Sequence, residues 1–226
     1  MRPDNNLFLH EEILLLALKD EEGTIASCAR YNYAVGGAIL AELLLGQRIA
    51  VDPSKKKRVS VVNSGPLGDP LIDEWLAKIA AAKRPKSLQD WVYRIANTKD
   101  LKHRIALPLC QRGILKVEEK SILLLFTQRV YPQIRAEPER RILDRLHQAI
   151  FTDAESIDPR TIVLLSLAKS ADLLSALFGR KAVKPRKARI ERLVGGEIAG
   201  KATRDAIQAV DSAVMIACIM PVVTTS

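Results

Sequence analysis

The chain has 226 residues, of which 48% are hydrophobic and only 4% aromatic, and it carries a formal net charge of +9. That length admits one large domain or two small ones, and a core drawn from Leu, Ile, Val and Ala favours helices. Scarce rings argue against a single-strand nucleic-acid platform, which stacks bases on exposed aromatics, while the basic balance points to a polyanionic partner: nucleic acid, anionic lipid or acidic protein.

Residues 1–6 form a short N-terminal tail. Leu7 to Lys19 reads as a helix, because Leu9, Ile13, Leu16 and Ala17 recur at helical spacing before the charged turn Asp20-Glu21-Glu22-Gly23. Glu11 and Glu12 interrupt this apolar stretch and rule it out as a signal peptide. Neighbours on a helix point about 100° apart, so the two carboxylates do not flank one substrate; a first-turn acidic pair favoured by the helix dipole is the better reading. Tyr33 to Leu45 is a second helix, with Ala34, Gly37, Ala38 and Ala41 as a small-residue face for close packing and Gly46 closing it. Arg48 to Asp52 and Val59 to Val62 read as short paired strands around the basic loop Pro53-Ser54-Lys55-Lys56-Lys57-Arg58.

Asn63 to Asp69 is turn chemistry, and Asp69 with Pro70 opens a helix through Ile79. Ser87 N-caps another from Leu88 to Ile95, and Leu101 to Arg112 precedes a hairpin. There Glu118-Glu119-Lys120-Ser121 reads as a polar turn leading into the apolar run Ile122 to Phe126; Ile122, Leu123 and Leu124 are the candidate tip, and Leu125 and Phe126 belong to the returning strand. Pro138 to Phe151 is a helix with Ile142, Leu146 and Ile150 on one side, and Asp158-Pro159 opens a strongly apolar helix through Leu177. Gly179 to Arg189 reads as a basic linker broken by Pro185, followed by final helices over roughly 187–199 and 202–220. The apolar run Ala213 to Val223 is too short to span a bilayer and contains Pro221. The expected fold is mainly α: a single globular helical domain over residues 7–226 with short β-hairpins, one of them apolar and exposed.

Cys28, Cys110 and Cys218 show no ligand spacing with His10, His103 and His147, so no metal site is assigned, and buried thiols in a reducing compartment are the simplest account. Gly195-Gly196-x-x-x-Gly200-Lys201 has the wrong spacing for a phosphate loop and follows a helix. No Ser or Cys stands with a His in a nucleophile–base pattern, so no catalytic residue and no cofactor is assigned. The basic clusters carry more weight. Lys55-Lys56-Lys57-Arg58 lies in a loop; Lys99, Lys102 and Arg104 gather before the hairpin, with Lys99 and Lys102 on one helix face if the helix starts there; Arg180, Lys181, Lys184, Arg186, Lys187 and Arg189 form the densest group. Near anionic headgroups each basic residue contributes on the order of 1 kcal/mol, and the same clusters suit a phosphate backbone about as well.

In Leu9 to Gly23, Ala41-Glu42-Leu43 with Arg48, Gly68 to Glu74, Gln111-Arg112-Gly113-Ile114-Leu115 and Asp158 to Phe178, the chain resembles the Golgi phosphoprotein 3 (GPP34) family. No one stretch is specific alone; their order and spacing together are. The resemblance implies a mostly α-helical single domain without enzyme activity. It also implies binding of phosphatidylinositol 4-phosphate on Golgi membranes and tethering of the cytosolic tails of resident membrane enzymes. The family hairpin, which serves membrane contact and self-association, aligns on Glu118 to Arg129, with Ile122 and Leu123 where its apolar side chains enter the bilayer. Ser27 (or Cys28) and Gly36 stand where the family's headgroup pocket has a Trp and an Arg, and its other two Arg fall on Lys99 and Lys102. These keep the charge but lose bidentate phosphate recognition.

Residues and resemblance together point to a non-catalytic peripheral membrane protein and a possible homo-oligomer. Lys99, Lys102 and Arg104 are expected at an anionic, phosphoinositide-like headgroup, and Ile122, Leu123 and Leu124 at a membrane-inserting or self-associating hairpin. The expected location is cytoplasmic, on the cytosolic face of a membrane, the Golgi if the cell is eukaryotic. Lacking the long polar tail of eukaryotic members, the chain reads as a prokaryotic or minimal member. The alternatives are an oligomeric protein-interaction scaffold without lipid binding and a basic nucleic-acid-binding protein, for which the sequence offers no recognition motif.

Overall fold

The computed structural model describes residues 7–19, 22–25, 31–52, 56–122, 126–195 and Ile207. At its centre lies α1 (Leu9–Ala17), every residue of which is buried. It has no solvent-facing stripe because α2 (Tyr31–Leu45), α5 (Leu101–Gln111), α6 (Glu137–Phe151), α7 (Pro159–Ser170) and α8 (Leu173–Phe178) all pack against it. Burying a Leu or Ile side chain contributes about 1.5–3 kcal/mol, so Leu9, Ile13, Leu14 and Leu15, all with no accessible surface, anchor the core.

The close approach on α2 falls at Gly36, outside the expected small-residue face of Ala34, Gly37, Ala38 and Ala41. A Cβ there would stand 2.8 Å from the carbonyl oxygen of Val92 on α4 (Leu88–Ala96). The position aligned with a headgroup-pocket Arg is therefore a helix crossing in this chain. Trp91 of α4 meets Trp75 of α3 (Pro70–Ala80) edge to face, with ring centroids 6.3 Å apart, a favoured geometry for an aromatic pair.

Local signals fix the helix starts. Asp69 accepts from the amides of Leu71 (3.0 Å) and Ile72 (2.9 Å), with Pro70 opening the first turn. Ser87 and Asp90 cap α4 reciprocally. Strands β1 (Ile49–Val51) and β2 (Val59–Val61) pair antiparallel, Ile49 opposite Val61. The amide of Val59 donates to Lys86 and that of Leu88 to Lys57, so the basic segment around Arg58 lies against the α3–α4 connection.

The second hairpin differs from the expectation. Glu118 to Ser121 are not a turn: they lie within β3 (Glu118–Ile122), paired with β4 (Phe126–Val130) in a register that sets Ile122 opposite Phe126. Glu119 and Lys120 are exposed and Glu118 half-buried, as suits a strand solvated on both faces, and the register puts the reversal after Ile122. Residues 123–125, with the exposure of the apolar tip, lie outside the described ones. Two further differences come from backbone geometry. The apolar helix opened by Asp158 breaks at Ala171 and Asp172, where Asp172 takes φ 59, and restarts as α8. The expected linker is helical: α9 (Arg180–Val183), a 3₁₀ turn over Lys184–Arg186 and α10 (Lys187–Val194) succeed one another. Pro185 is accommodated because it opens the 3₁₀ turn, where its missing N–H costs no helical bond. The final expected helix, 202–220, falls outside the described residues except for Ile207.

Three buried carboxylates, none assigned a partner from sequence, tie these elements together. Glu11 accepts from the Phe8 amide (2.8 Å) and from Arg112 of the α5 C-terminus (2.5 Å). Glu12 pairs with Arg145 of α6 at 2.6 Å. Burial holds its carboxyl above the usual range, opposed by the charges of Arg145 and Arg160. Glu42 of α2 accepts from the Leu9 amide (2.6 Å) and from Arg160 of α7, whose guanidinium also donates to the Leu7 carbonyl at 2.8 Å. The acidic pair on α1 thus joins helices rather than serving the dipole alone.

Candidate functional site

The start of α5 and the end of β4 meet where the hairpin joins the helical body. α4 stops at Ala96, Asp100 adopts φ 54, and α5 begins at Leu101. Lys99 therefore sits exposed in the turn before the helix and shares no helical face with Lys102. Lys102 is half-buried. Its ammonium lies 3.4 Å from the Arg129 carbonyl oxygen and 5.3 Å from the centre of the Tyr131 ring, a cation–π distance. Burial lowers the pKa of this amine from the ordinary lysine value. One residue on, His103 Nδ1 stands 2.7 Å from the Tyr131 hydroxyl. Burial raises that phenol, against the opposing charge of Arg129.

The other end of Tyr131 is gripped by the loop after α1. Its amide donates to the Gly23 carbonyl at 2.8 Å, and Gly23 has φ 62 with no room for a side chain. Lys120 of β3 reaches the Glu22 carbonyl at 3.4 Å. The base of the hairpin is thereby held against two separate parts of the helical body.

Arg104 points elsewhere. Residues two apart on a helix diverge by about 200°, and Arg104 pairs with Glu74 of α3, which also binds Lys78 at 2.6 Å. Hydrogen bonds from Arg104 and then Lys78 hold the Glu74 carboxyl below the usual carboxylate range. So the three cations expected together divide: Lys102 adjoins the hairpin, Lys99 lies in the preceding turn, and Arg104 is committed to α3. The residue that sequence reading passed over is Arg129, exposed on β4 opposite Glu119 and without an ion pair among the described residues. Only the hairpin register brings it to α5, so spacing along the chain gave no signal for it. Ile122 ends β3; Leu123 and Leu124, like Ser27 and Cys28, lie outside the described residues.

This arrangement can attract an anion through Lys99, Lys102 and Arg129 beside a strand pair whose reversal is apolar in sequence. Among the described residues no group of His, Cys, Asp or Glu is placed to hold a metal ion, and no helix is long and apolar enough to cross a membrane. Comparison with known proteins adds a lineage. The sequence profile described as Golgi phosphoprotein 3 (GPP34) matches residues 9–210. Vacuolar protein sorting-associated protein 74 of Eremothecium gossypii is 28% identical over 206 residues, an overlap covering 76% of this chain and 61% of that relative. The chain thus spans less than two thirds of the relative's length.

Proposed function

Because the chain belongs to the Golgi phosphoprotein 3 (GPP34) family, we propose that it is a non-catalytic peripheral membrane protein. In this reading it binds anionic, phosphoinositide-like headgroups and tethers the cytosolic tails of membrane proteins. The observation that carries the reading is the seat of Lys102 at the hairpin base, with Lys99 and Arg129 exposed nearby; the apolar sequence Ile122-Leu123-Leu124 begins at the end of β3. The sorting role in the name of the fungal relative supports it. Two or three inserted apolar side chains contribute roughly 1.5–3 kcal/mol each, and each cation near an anionic leaflet about 1 kcal/mol. Neither alone gives stable anchoring, so both signals are needed.

Flotation with phosphatidylcholine vesicles, plain or carrying phosphatidylinositol 4-phosphate or phosphatidylserine, tests this. Binding is expected only to the anionic vesicles. Lys99→Ala with Lys102→Ala removes about 2 kcal/mol, or roughly thirtyfold in affinity. Ile122→Asp with Leu123→Asp abolishes retention. Arg104→Ala leaves binding within about twofold, since that guanidinium is already paired. Recovery independent of anionic lipid and of both double substitutions would refute the reading. Equal recruitment by the two anionic lipids would mean charge attraction without headgroup selectivity, as expected where Lys replaces Arg.

A second reading draws on the hairpin edges. β3 and β4 pair only with each other among the described residues, and unpaired edges are templates for another strand. A homo-oligomer joined there, without lipid affinity, would show in light scattering as a multiple of the 25.0 kDa chain while the protein stays off vesicles.

A further inference from the structure

A cavity of about 690 Å³ lies between the α7–α8 break and the α9–α10 segment, away from the hairpin and its seat on α5. Its size is that of small-molecule sites, which run to about 300–1,000 Å³. The helical conformation of residues 180–194 builds it. Arg180, Lys184 and Lys187 recur four and three residues apart, as neighbours on one helical face do, and all three are exposed. Beside this cationic row runs an apolar one: Val183 is half-buried and Ile190 buried, with Leu174 of α8 completing the lining.

The charges do not cancel. Glu191 is engaged by Lys169 of α7 at 2.7 Å, an ion pair that joins the two walls. Arg180, Lys184 and Lys187 make no ion pair among the described residues, and among those residues the only other carboxylate lining the cavity is Asp172. Three cations against that one carboxylate leave an excess of two positive charges. A phosphomonoester carries about −1.5 to −2 at neutral pH. A guanidinium binds its oxygens in pairs, while lysines supply point charges. The apolar row would be of no use to inorganic phosphate but would seat the body of an amphiphile.

We propose that this cavity is a second ligand site, which takes a phosphomonoester attached to an apolar body. The proposal does not depend on the membrane reading of the hairpin. That ligand chemistry has two sources, a bilayer lipid such as phosphatidic acid or a water-soluble phosphate ester, and the experiment separates them.

Calorimetric titration of the full chain with monomeric dihexanoyl phosphatidic acid is expected to show saturable binding at one site. Dihexanoyl phosphatidylcholine should not bind, and inorganic phosphate should bind at least about tenfold more weakly. Arg180→Ala with Lys184→Ala and Lys187→Ala should weaken the phosphatidic acid by tenfold or more; Lys184→Glu alone is the second variant, and unchanged circular dichroism and melting verify both folds. Lys99→Ala with Lys102→Ala should leave this affinity within twofold, so failure here is distinguishable from failure of the hairpin site. Flotation on phosphatidylcholine–phosphatidic acid vesicles then assigns the source. Sensitivity to the cavity variants supports a bilayer lipid, and monomer binding without it supports a soluble ester. Absence of phosphatidic acid binding in either form, binding as tight to the folded cavity variants as to the wild type, or phosphate binding as tightly as the amphiphile would each overturn the proposal.

Discussion

Gly23→Ala is expected to destabilise the protein by about 3 kcal/mol or more and to loosen the hairpin from the helical body. Two independent costs add. Gly23 has φ 62, a left-handed conformation that costs a side-chain-bearing residue about 1–2 kcal/mol. An added Cβ would also stand 2.3 Å from the Pro132 nitrogen and 2.4 Å from the Tyr131 backbone. Those neighbours are main chain, so relief requires displacing a strand end, and overpacking of this kind costs a further 1–3 kcal/mol or so. At this chain length the loss corresponds to a melting temperature lower by roughly 6–12 °C. Because the Tyr131 amide donates to Gly23, its hydrogen exchange should quicken beyond the change in global stability. Melting within 2 °C of wild type would show that the loop and hairpin move apart at little cost.

Glu42→Ala carries the next largest expected effect, a loss of about 3–5 kcal/mol, the usual result of removing one partner from a buried ion pair. Three donors depend on this carboxylate: the Leu9 amide in the first turn of α1 and two nitrogens of Arg160. After truncation the amide loses this acceptor, and Arg160 keeps the Leu7 carbonyl and the charges of Glu12 and Asp158. Glu42→Gln retains an oxygen for Leu9 and should recover about half of the loss. Urea denaturation of Glu42→Ala, Arg160→Ala and the double variant gives the coupling directly. A double variant no more stable than the sum of the singles would mean that the pair is not energetically joined.

What the sequence reveals depends on the distance over which each interaction acts. Asp69-Pro70 and Ser87 with Asp90 are legible because a cap is completed within three residues. The α7–α8 break is not, since Ala171-Asp172 holds neither Gly nor Pro, although Asp172 takes φ 59 there. The segment around Pro185 misleads for the opposite reason: a proline reads as a breaker but opens a new turn. At the hairpin, apolarity alone suggests a tip after a polar turn, whereas pairing of Glu118 with Val130 and of Ile122 with Phe126 places the reversal later. Charge identifies Lys99, Lys102 and Arg104 together, yet direction along a helix separates Arg104 from Lys102. Arg129 enters the site only through tertiary contact.

The buried ion pairs were beyond sequence reading for a simple reason. Glu11 and Arg112 are 101 residues apart, and Glu12 and Arg145 are 133 apart. The same separations impose an order on biosynthesis. Chains elongate at roughly 5–20 residues per second, so Glu12 waits on the order of 7–27 s for Arg145 to be translated. Glu11 gains its counter-charge earlier, once Arg112 follows, and α2 and α5 are also made before Arg145; until α6 and α7 emerge, Glu12 is unpaired and the packing around α1 is incomplete. Release of an N-terminal fragment before α6 and α7 emerge would leave that segment open to chaperones and to aggregation.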